Sequence, residues 1–311
     1  MTVSIVVPIY NTAPYLDQMM ESLCMQADYD DRSLQLEIIC VDDCSTDGSL
    51  DILRQWEKRD KRVQVIQLER NSGQSVARNV ALRHIHGDWL YFMDSDDVLL
   101  PDALFNLMVY ARQTQADMVM FNASMINEQG ASIEGQRYVR SNRFKKDAVY
   151  SGHEVMDTLL STFSFRAVPW LYLTKTQSWR ESDIWFPDGI IHEDETFTSC
   201  LIMNTERISV LPETLIQHRM RASSTMGQQF SLRNMDCYLQ AVAAVEQWLG
   251  RHTEHRQMGR RYLRYTLTHV LITARCLPFA ARMTTLRNIL AHRYLPYVET
   301  KRLIQFIFRG R

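Results

Sequence analysis

Ser4 to Tyr10 reads SIVVPIY, a continuous β-branched run of the kind that forms a strand covered on both faces. Behind it, APYLDQMMESLCMQ sets Leu16, Met19, Met20 and Leu23 at helical spacing. The pair then repeats. LEIICVDD predicts a second strand and TDGSLDILRQWEKR a second helix, with Thr46 or Asp47 at its N-cap. VQVIQLE predicts a third strand, QSVARNVALRHI a third helix, and WLYFMD a fourth strand beginning at Trp89. Strands joined by single helices imply an α/β chain with a doubly wound, mostly parallel, Rossmann-like sheet, whose ligands bind beyond the carboxyl ends of the strands.

The residues just after each strand therefore carry the functional information. They are Tyr10 and Asn11, then Asp42, Asp43, Ser45 and Thr46, then Asn71, Ser72, Gly73 and Arg78, then Asp94, Asp96 and Asp97. One Asp after a strand is an ordinary turn former or helix cap. Four consecutive strand ends that all deliver polar groups to one edge mark a site. No G-x-G-x-x-G follows the first strand and no Walker lysine loop occurs, which argues against a Rossmann dehydrogenase or a P-loop kinase.

The fourth strand ends in three carboxylates within four residues, Asp94, Asp96 and Asp97, each of which makes its neighbours harder to ionise. A divalent cation relieves that cost. Mg²⁺ or Mn²⁺ held by one or two carboxylates keeps its remaining positions for water and substrate phosphates. The competing explanation is that Asp97, and with it Asp96, caps a helix starting near Pro101.

Composition adds limits. A chain of 311 residues, 46% of them hydrophobic, has the length for one large domain and a smaller appendage. Its six cysteines form no C-x-x-C pair, so neither a zinc site nor a disulfide framework is expected. MTVSIVVPIY lacks the basic flank and length of a signal peptide, and no run of eighteen apolar residues follows, so a cytoplasmic location is expected. The net charge of -1 hides an asymmetry, because residues 251–311 hold thirteen Lys or Arg against Glu254 and Glu299 alone.

VSIVVPIYN, VDDCSTDGS, NSGQSVARN, DSDD and FPDGIIHEDETF, in this order and spacing, resemble the family 2 glycosyltransferases of GT-A fold, inverting enzymes that use nucleotide-diphosphate sugars. The resemblance covers residues 2 to about 125 and recurs at 166–226. It implies a catalytic domain over 1–230, with a nucleotide-sugar-binding half at 1–125 and an acceptor half at 126–230, followed by a C-terminal helical appendage at 231–311. Pro8, Tyr10 and Asn11 match the loop lining base and ribose, and Asp42 the aspartate that accepts from the uracil edge. Asn71, Gly73 and Arg78 match the segment closing over base and diphosphate. Asp94, Ser95 and Asp96 match the D-x-D signature, with Asp94 and Ser95 toward the nucleotide and Asp94 and Asp96 toward a Mn²⁺ or Mg²⁺ cofactor.

Within His192, Glu193, Asp194 and Glu195, the family's E-D pair maps the catalytic base onto Asp194, whereas a helix dipole would by itself favour such an acidic cluster. Downstream, Arg219 and Arg221 fit cationic places on the diphosphate and Ser224 the accompanying serine, with His218 replacing a tyrosine and Arg221 standing where many members have a metal-binding histidine. The implied activity is a metal-dependent inverting transfer from a UDP-type sugar to a saccharide or lipid-linked saccharide acceptor, in cell-surface polysaccharide synthesis. A nucleotidyltransferase and a noncatalytic nucleotide-sugar-binding protein remain the alternatives.

Residues 251–311 answer to none of these motifs. Leu263, Leu267, Val270, Leu271 and Ala274 share one helical face, and Leu303, Ile304, Ile307 and Phe308 repeat the theme. Basic and amphipathic, the segment is expected either to rest on the inner face of a membrane or to pack on the catalytic domain. Nucleic acid is not an expected partner, because the rest of the chain is acidic.

Overall fold

The computed structural model describes residues 1–27, 34–135, 138–139, 141–221 and 229–308. The first hundred residues alternate as expected: β1 (Thr2–Ile9), α1 (Ala13–Cys24), β2 (Gln35–Asp42), α2 (Ser49–Arg59), β3 (Val63–Gln67), α3 (Gln74–Leu82) and β4 (Trp89–Phe92). Then follow β5 (Val98–Leu99), α4 (Ala103–Thr114), β6 (Met118–Ile126), β7 (Ser132–Ile133), α5 (Gly152–Ser161), β8 (Tyr172–Lys175), α6 (Thr176–Ser182), α7 (Glu193–Asn204) and β9 (Ile208–Arg219). Four helices close the chain: α8 (Leu232–Arg251), α9 (Arg256–Thr273), α10 (Phe279–Ala291) and α11 (Thr300–Phe308).

The strands form one mixed sheet in the order β3-β2-β1-β4-β8-β6-β9-β5, with β7 paired to β6. β1 lies parallel to both β2 and β4, and β2 parallel to β3. The direction of winding thus reverses between β1 and β4, which is where an open α/β sheet opens a crevice beyond its strand ends. β4 pairs antiparallel with β8, so the second half of the chain is stitched directly to the strand that ends in the carboxylates.

Alternating side chains of these strands feed two cores. Val6, Ile39, Val41, Leu90 and Phe92 point to one face, and Ile5, Val7, Ile38, Cys40 and Tyr91 to the other. Covering both faces explains the uninterrupted apolar runs in the sequence.

Two sequence readings are decided by the structure. Neither Thr46 nor Asp47 is the N-cap of α2, which starts at Ser49 behind a left-handed Gly48. Asp47 nevertheless accepts from the Ser49 and Ala13 amides, so its carboxylate ties two helix starts together. The apolar stripe of α9 does not face a membrane either: Leu263, Leu267, Val270, Leu271 and Ala274 are all buried in the core that carries Phe92. Trp248 of α8 lies in the same core and donates its indole N–H to the Ser182 carbonyl at 2.7 Å. Burial of that stripe is the ordinary use of an amphipathic face. On α11, Phe306 is buried while Ile304 is 53% and Phe308 76% exposed. Among the described residues no helix is long and apolar enough to cross a membrane. Among the described residues no disulfide joins any of the six cysteines.

Candidate active site

The loops after β1, β2 and β3 are locked to one another by side chains that the sequence placed at the edge. Asn11 adopts a left-handed conformation, its amide donates to the Ser45 hydroxyl, and its Oδ1 accepts from the Thr46 N–H at 2.8 Å. Tyr10 beside it is exposed, whereas Pro8 is buried in β1 opposite Val41. Asp43, given no ligand role from sequence, accepts from the Ser72 and Gly73 amides at 2.6 and 2.8 Å. That clamp holds the β3–α3 loop, in which Asn71 is exposed and Gly73 takes φ 90°, a conformation costly for any other residue.

Asp42 differs from its neighbours. It is 0% exposed, its Oδ2 accepts from the Ser45 amide, and its Oδ1 has no hydrogen-bond partner. A buried carboxylate oxygen without a donor costs free energy unless a ligand supplies one.

At the end of β4 each carboxylate meets a cation. Asp94 is partly exposed and accepts from Nη2 of Arg78 at 3.0 Å. Oδ2 of Asp96 lies 2.5 Å from Nε of Arg221. Asp97 is fully buried and accepts from the Arg219 amide at 2.8 Å, with Nδ1 of His218 3.0 Å from both its oxygens. The alternative helix-cap role of Asp96 and Asp97 does not hold, since α4 starts at Ala103 behind Asp102. Burial first, then the charge of Asp97, pushes the Asp96 carboxyl up to about 7, against the pull of Arg221. Burial disfavours a charged His218 ring, yet the Asp97 carboxylate outweighs it and the ring's pKa rises. The His218 ring also stacks on Trp170 at 4.7 Å. Ser95, also buried, accepts from the Thr12 hydroxyl at 3.0 Å, fixing the loop to the start of α1.

Arg219 and Arg221 differ in what they can still reach. Arg219 is buried and spends its donors on the carbonyls of Asp96, Asn127 and Glu128 and on Gln18. Arg221 is partly exposed. Ser224 lies outside the described residues.

The HEDE stretch forms the first turn of α7, with His192 in a left-handed conformation before it. Glu193 is buried and accepts from Nη1 of Arg78 at 2.7 Å, so one guanidinium joins the β4 end to this helix. Glu195 accepts from the Tyr262 hydroxyl at 2.5 Å, and His192 stacks on Tyr238 at 4.0 Å. Asp194 lies between these two anchored acids and keeps part of its surface open. Burial of the carboxyl, then the charges of Glu193 and Glu195, raise its pKa well above the ordinary value despite Arg78. A carboxylate held above its usual range beside exposed surface suits a general base.

The family resemblance implies a divalent cation, and the carboxylates can be tested for it. Asp94 and Asp96 each commit one oxygen to an arginine and keep the other. Two carboxylate oxygens suit Mg²⁺ or Mn²⁺, which completes its shell with phosphate and water. Asp94 and Asp96 would supply two of its ligands, with Arg221 the competitor for Asp96, although among the described residues no three His, Cys, Asp or Glu side chains come together as a metal site.

An unpartnered buried Asp42, paired strand-end carboxylates and an acidic helix start thus gather at the switch point of an open α/β sheet, where such sheets place their ligand crevice. Residues 4–168 match the model for glycosyl transferase family 2, and the chain belongs to that family. It is 31% identical over 215 residues to the poly(ribitol-phosphate) beta-N-acetylglucosaminyltransferase TarS of Staphylococcus aureus, covering 68% of this chain and 34% of the relative. It is 34% identical over 216 residues to a poly(ribitol-phosphate) beta-glucosyltransferase of Bacillus spizizenii, covering 68% and 31%. The chain thus spans about a third of the length of these relatives. The crystal structure of S. aureus TarS 1–349 in complex with UDP-GlcNAc superposes with a TM-score of 0.66 at 20% identity, covering 99% of this chain and 90% of that one. The architecture is therefore the GT-A fold, extending through the C-terminal helices.

Proposed function

We propose that the protein is an inverting glycosyltransferase that moves a hexosyl or N-acetylhexosaminyl group from a UDP-sugar to a hydroxyl of a cell-surface polymer or its lipid-linked precursor. The observation that carries this reading is the Arg78 bridge, which holds Asp94 and Glu193 on one guanidinium and so sets the strand-end carboxylates beside the acidic turn of α7. The relatives named for transfer to poly(ribitol-phosphate) support an acceptor of that kind, a surface polymer rich in hydroxyls.

Asp194 takes the proton from the acceptor hydroxyl as that oxygen attacks the anomeric carbon, and the sugar–phosphate bond breaks on the opposite face. The raised pKa of Asp194 matches this task, since a base must hold the proton it receives. Arg221 neutralises charge on the departing diphosphate. Asp94 and Asp96 would hold a divalent ion, which would supply further charge neutralisation at the diphosphate. Asp42 accepts the imide N–H of uracil on its unpartnered Oδ1, which favours uracil over cytosine, whose N3 is an acceptor.

The exposed Ile304 and Phe308 of α11 lie in the segment 251–311, which holds thirteen Lys or Arg against Glu254 and Glu299. That composition suits contact with an anionic lipid surface, which would bring the site to a lipid-linked acceptor. Co-sedimentation with anionic but not neutral vesicles, reduced in Ile304→Ser/Phe308→Ser, is the expected result.

The reaction class is tested by incubating the full chain with UDP-GlcNAc or UDP-Glc and Mn²⁺ in the absence of acceptor. Slow release of UDP and free sugar is expected. Release of pyrophosphate would indicate a nucleotidyltransferase, and tight binding without turnover under any condition a binding protein.

A further inference from the structure

Arg221 and Asp96 meet where β9 ends beside the β4 loop, with Nε of Arg221 2.5 Å from Oδ2 of Asp96. The Asp96 side chain is 9% exposed, while the arginine side chain keeps 22% of its surface open. The other contact described for Arg221 is the face of Tyr15, 5.6 Å from the guanidinium carbon. Neighbouring groups are committed elsewhere. Arg219 is held by three carbonyls and Gln18, and Asp97 by His218 and a backbone amide. Among the described contacts Asp96 is the carboxylate partner of Arg221, whose side chain keeps 22% of its surface open against 15% for His218.

A guanidinium ion-paired with a buried carboxylate and a divalent ion coordinated to the same group repel each other. A diphosphate offers Arg221 a better partner, with two acceptor oxygens in the geometry that suits its fork. Moving Arg221 from Asp96 to phosphate would release the metal ligand in the same step.

We propose that Arg221 is an internal counter-ion that closes Asp96 in the donor-free enzyme and transfers to the donor diphosphate, so that nucleotide and divalent metal each strengthen the binding of the other. This rests on the nucleotide-diphosphate reading above. The coupling is reciprocal because both ligands draw on the same displacement.

The test follows free Mn²⁺ by electron paramagnetic resonance during titration of the full chain alone, with UDP and with uridine. UDP should tighten Mn²⁺ binding by about tenfold or more, a usual size for site-to-site coupling, and uridine should not. R221Q and R221M, the latter keeping an apolar stem against Tyr15, should bind Mn²⁺ severalfold more tightly than wild type without nucleotide, and R221K as weakly as wild type. D96N should lose the ion in every state. Nucleotide-free Mn²⁺ binding in R221Q and R221M no tighter than in wild type overturns the counter-ion role, even where UDP binds normally by thermal shift. Failure of UDP to shift the wild-type melting temperature overturns the donor reading instead, and the R221Q gain still decides the role of Arg221.

Discussion

Arg78 donates to Glu193 at 2.7 Å across 115 positions of sequence, and both side chains are buried. Nη2 of the same guanidinium reaches Asp94. Removing Arg78 would strand the buried Glu193, whereas removing both partners would not. Arg78→Met should cost about 3–5 kcal/mol of unfolding free energy, the usual scale for breaking a buried pair from one side. Adding Glu193→Gln should restore a substantial part. Urea unfolding of the two single variants and the double variant checks this, and simple additivity would mean the two side chains do not depend on each other.

Asp194 joins a functional demand to a structural cost. Asp194→Asn should lower the transfer rate by about a hundredfold or more while leaving UDP binding near wild type. The same change should stabilise the fold at neutral pH. With its pKa raised by folding, the wild-type carboxyl contributes stability that is full below its unfolded value and is lost as pH rises toward the folded value. The asparagine cannot ionise. Its advantage in melting temperature should be absent near pH 4 and grow to a few degrees at pH 8, as calorimetry would show. An equal offset at every pH would mean the ionisation of Asp194 is not strained.

The first half of the site was legible because each strand end is adjacent in sequence to the group it presents. Asp42, Asp94 and Asp96 are placed by β2 and β4, whose apolar runs are local signals. Arg78 was found for its cation, but its carboxylate partners were not, since Glu193 reaches it only after β8 pairs with β4. Tyr262 and Tyr238, which brace Glu195 and His192, were missed altogether. They sit on helices whose periodicity announces an apolar face and says nothing of where that face docks. The clamp by Asp43 had a faint signal in the doubled aspartate of VDD, and its specific partners appear only in three dimensions.

That docking makes the C-terminal region part of the folding unit. Trp248 is fully buried between α8 and the catalytic core and donates to the Ser182 carbonyl. Trp248→Ala should cost about 3–5 kcal/mol, from lost burial, the cavity left behind and the orphaned carbonyl. Deleting residues 251–311 should give an insoluble or unfolded chain, because α9 leaves with Tyr262 and the stripe from Leu263 to Ala274. A truncated protein with wild-type circular dichroism and melting temperature would show that these helices are dispensable.

Glu195 offers the sharpest test of which carboxyl is the base, because it touches Asp194 electrostatically without sharing the Arg78 pair. Its charge, with those of Glu193 and Asp94, raises the pKa of Asp194 after burial. The Tyr262 hydrogen bond favours the ionised form of Glu195, although burial leaves its own pKa raised. Glu195→Gln keeps shape and a polar end against Tyr262 and removes that charge. Asp194 should then ionise at lower pH, so the acid limb of the kcat/KM profile should move to lower pH relative to wild type. A loss of activity in Glu195→Gln with the limb unmoved would place the catalytic proton on another group. A limb displaced to lower pH, together with an inactive Asp194→Asn, would assign it to Asp194.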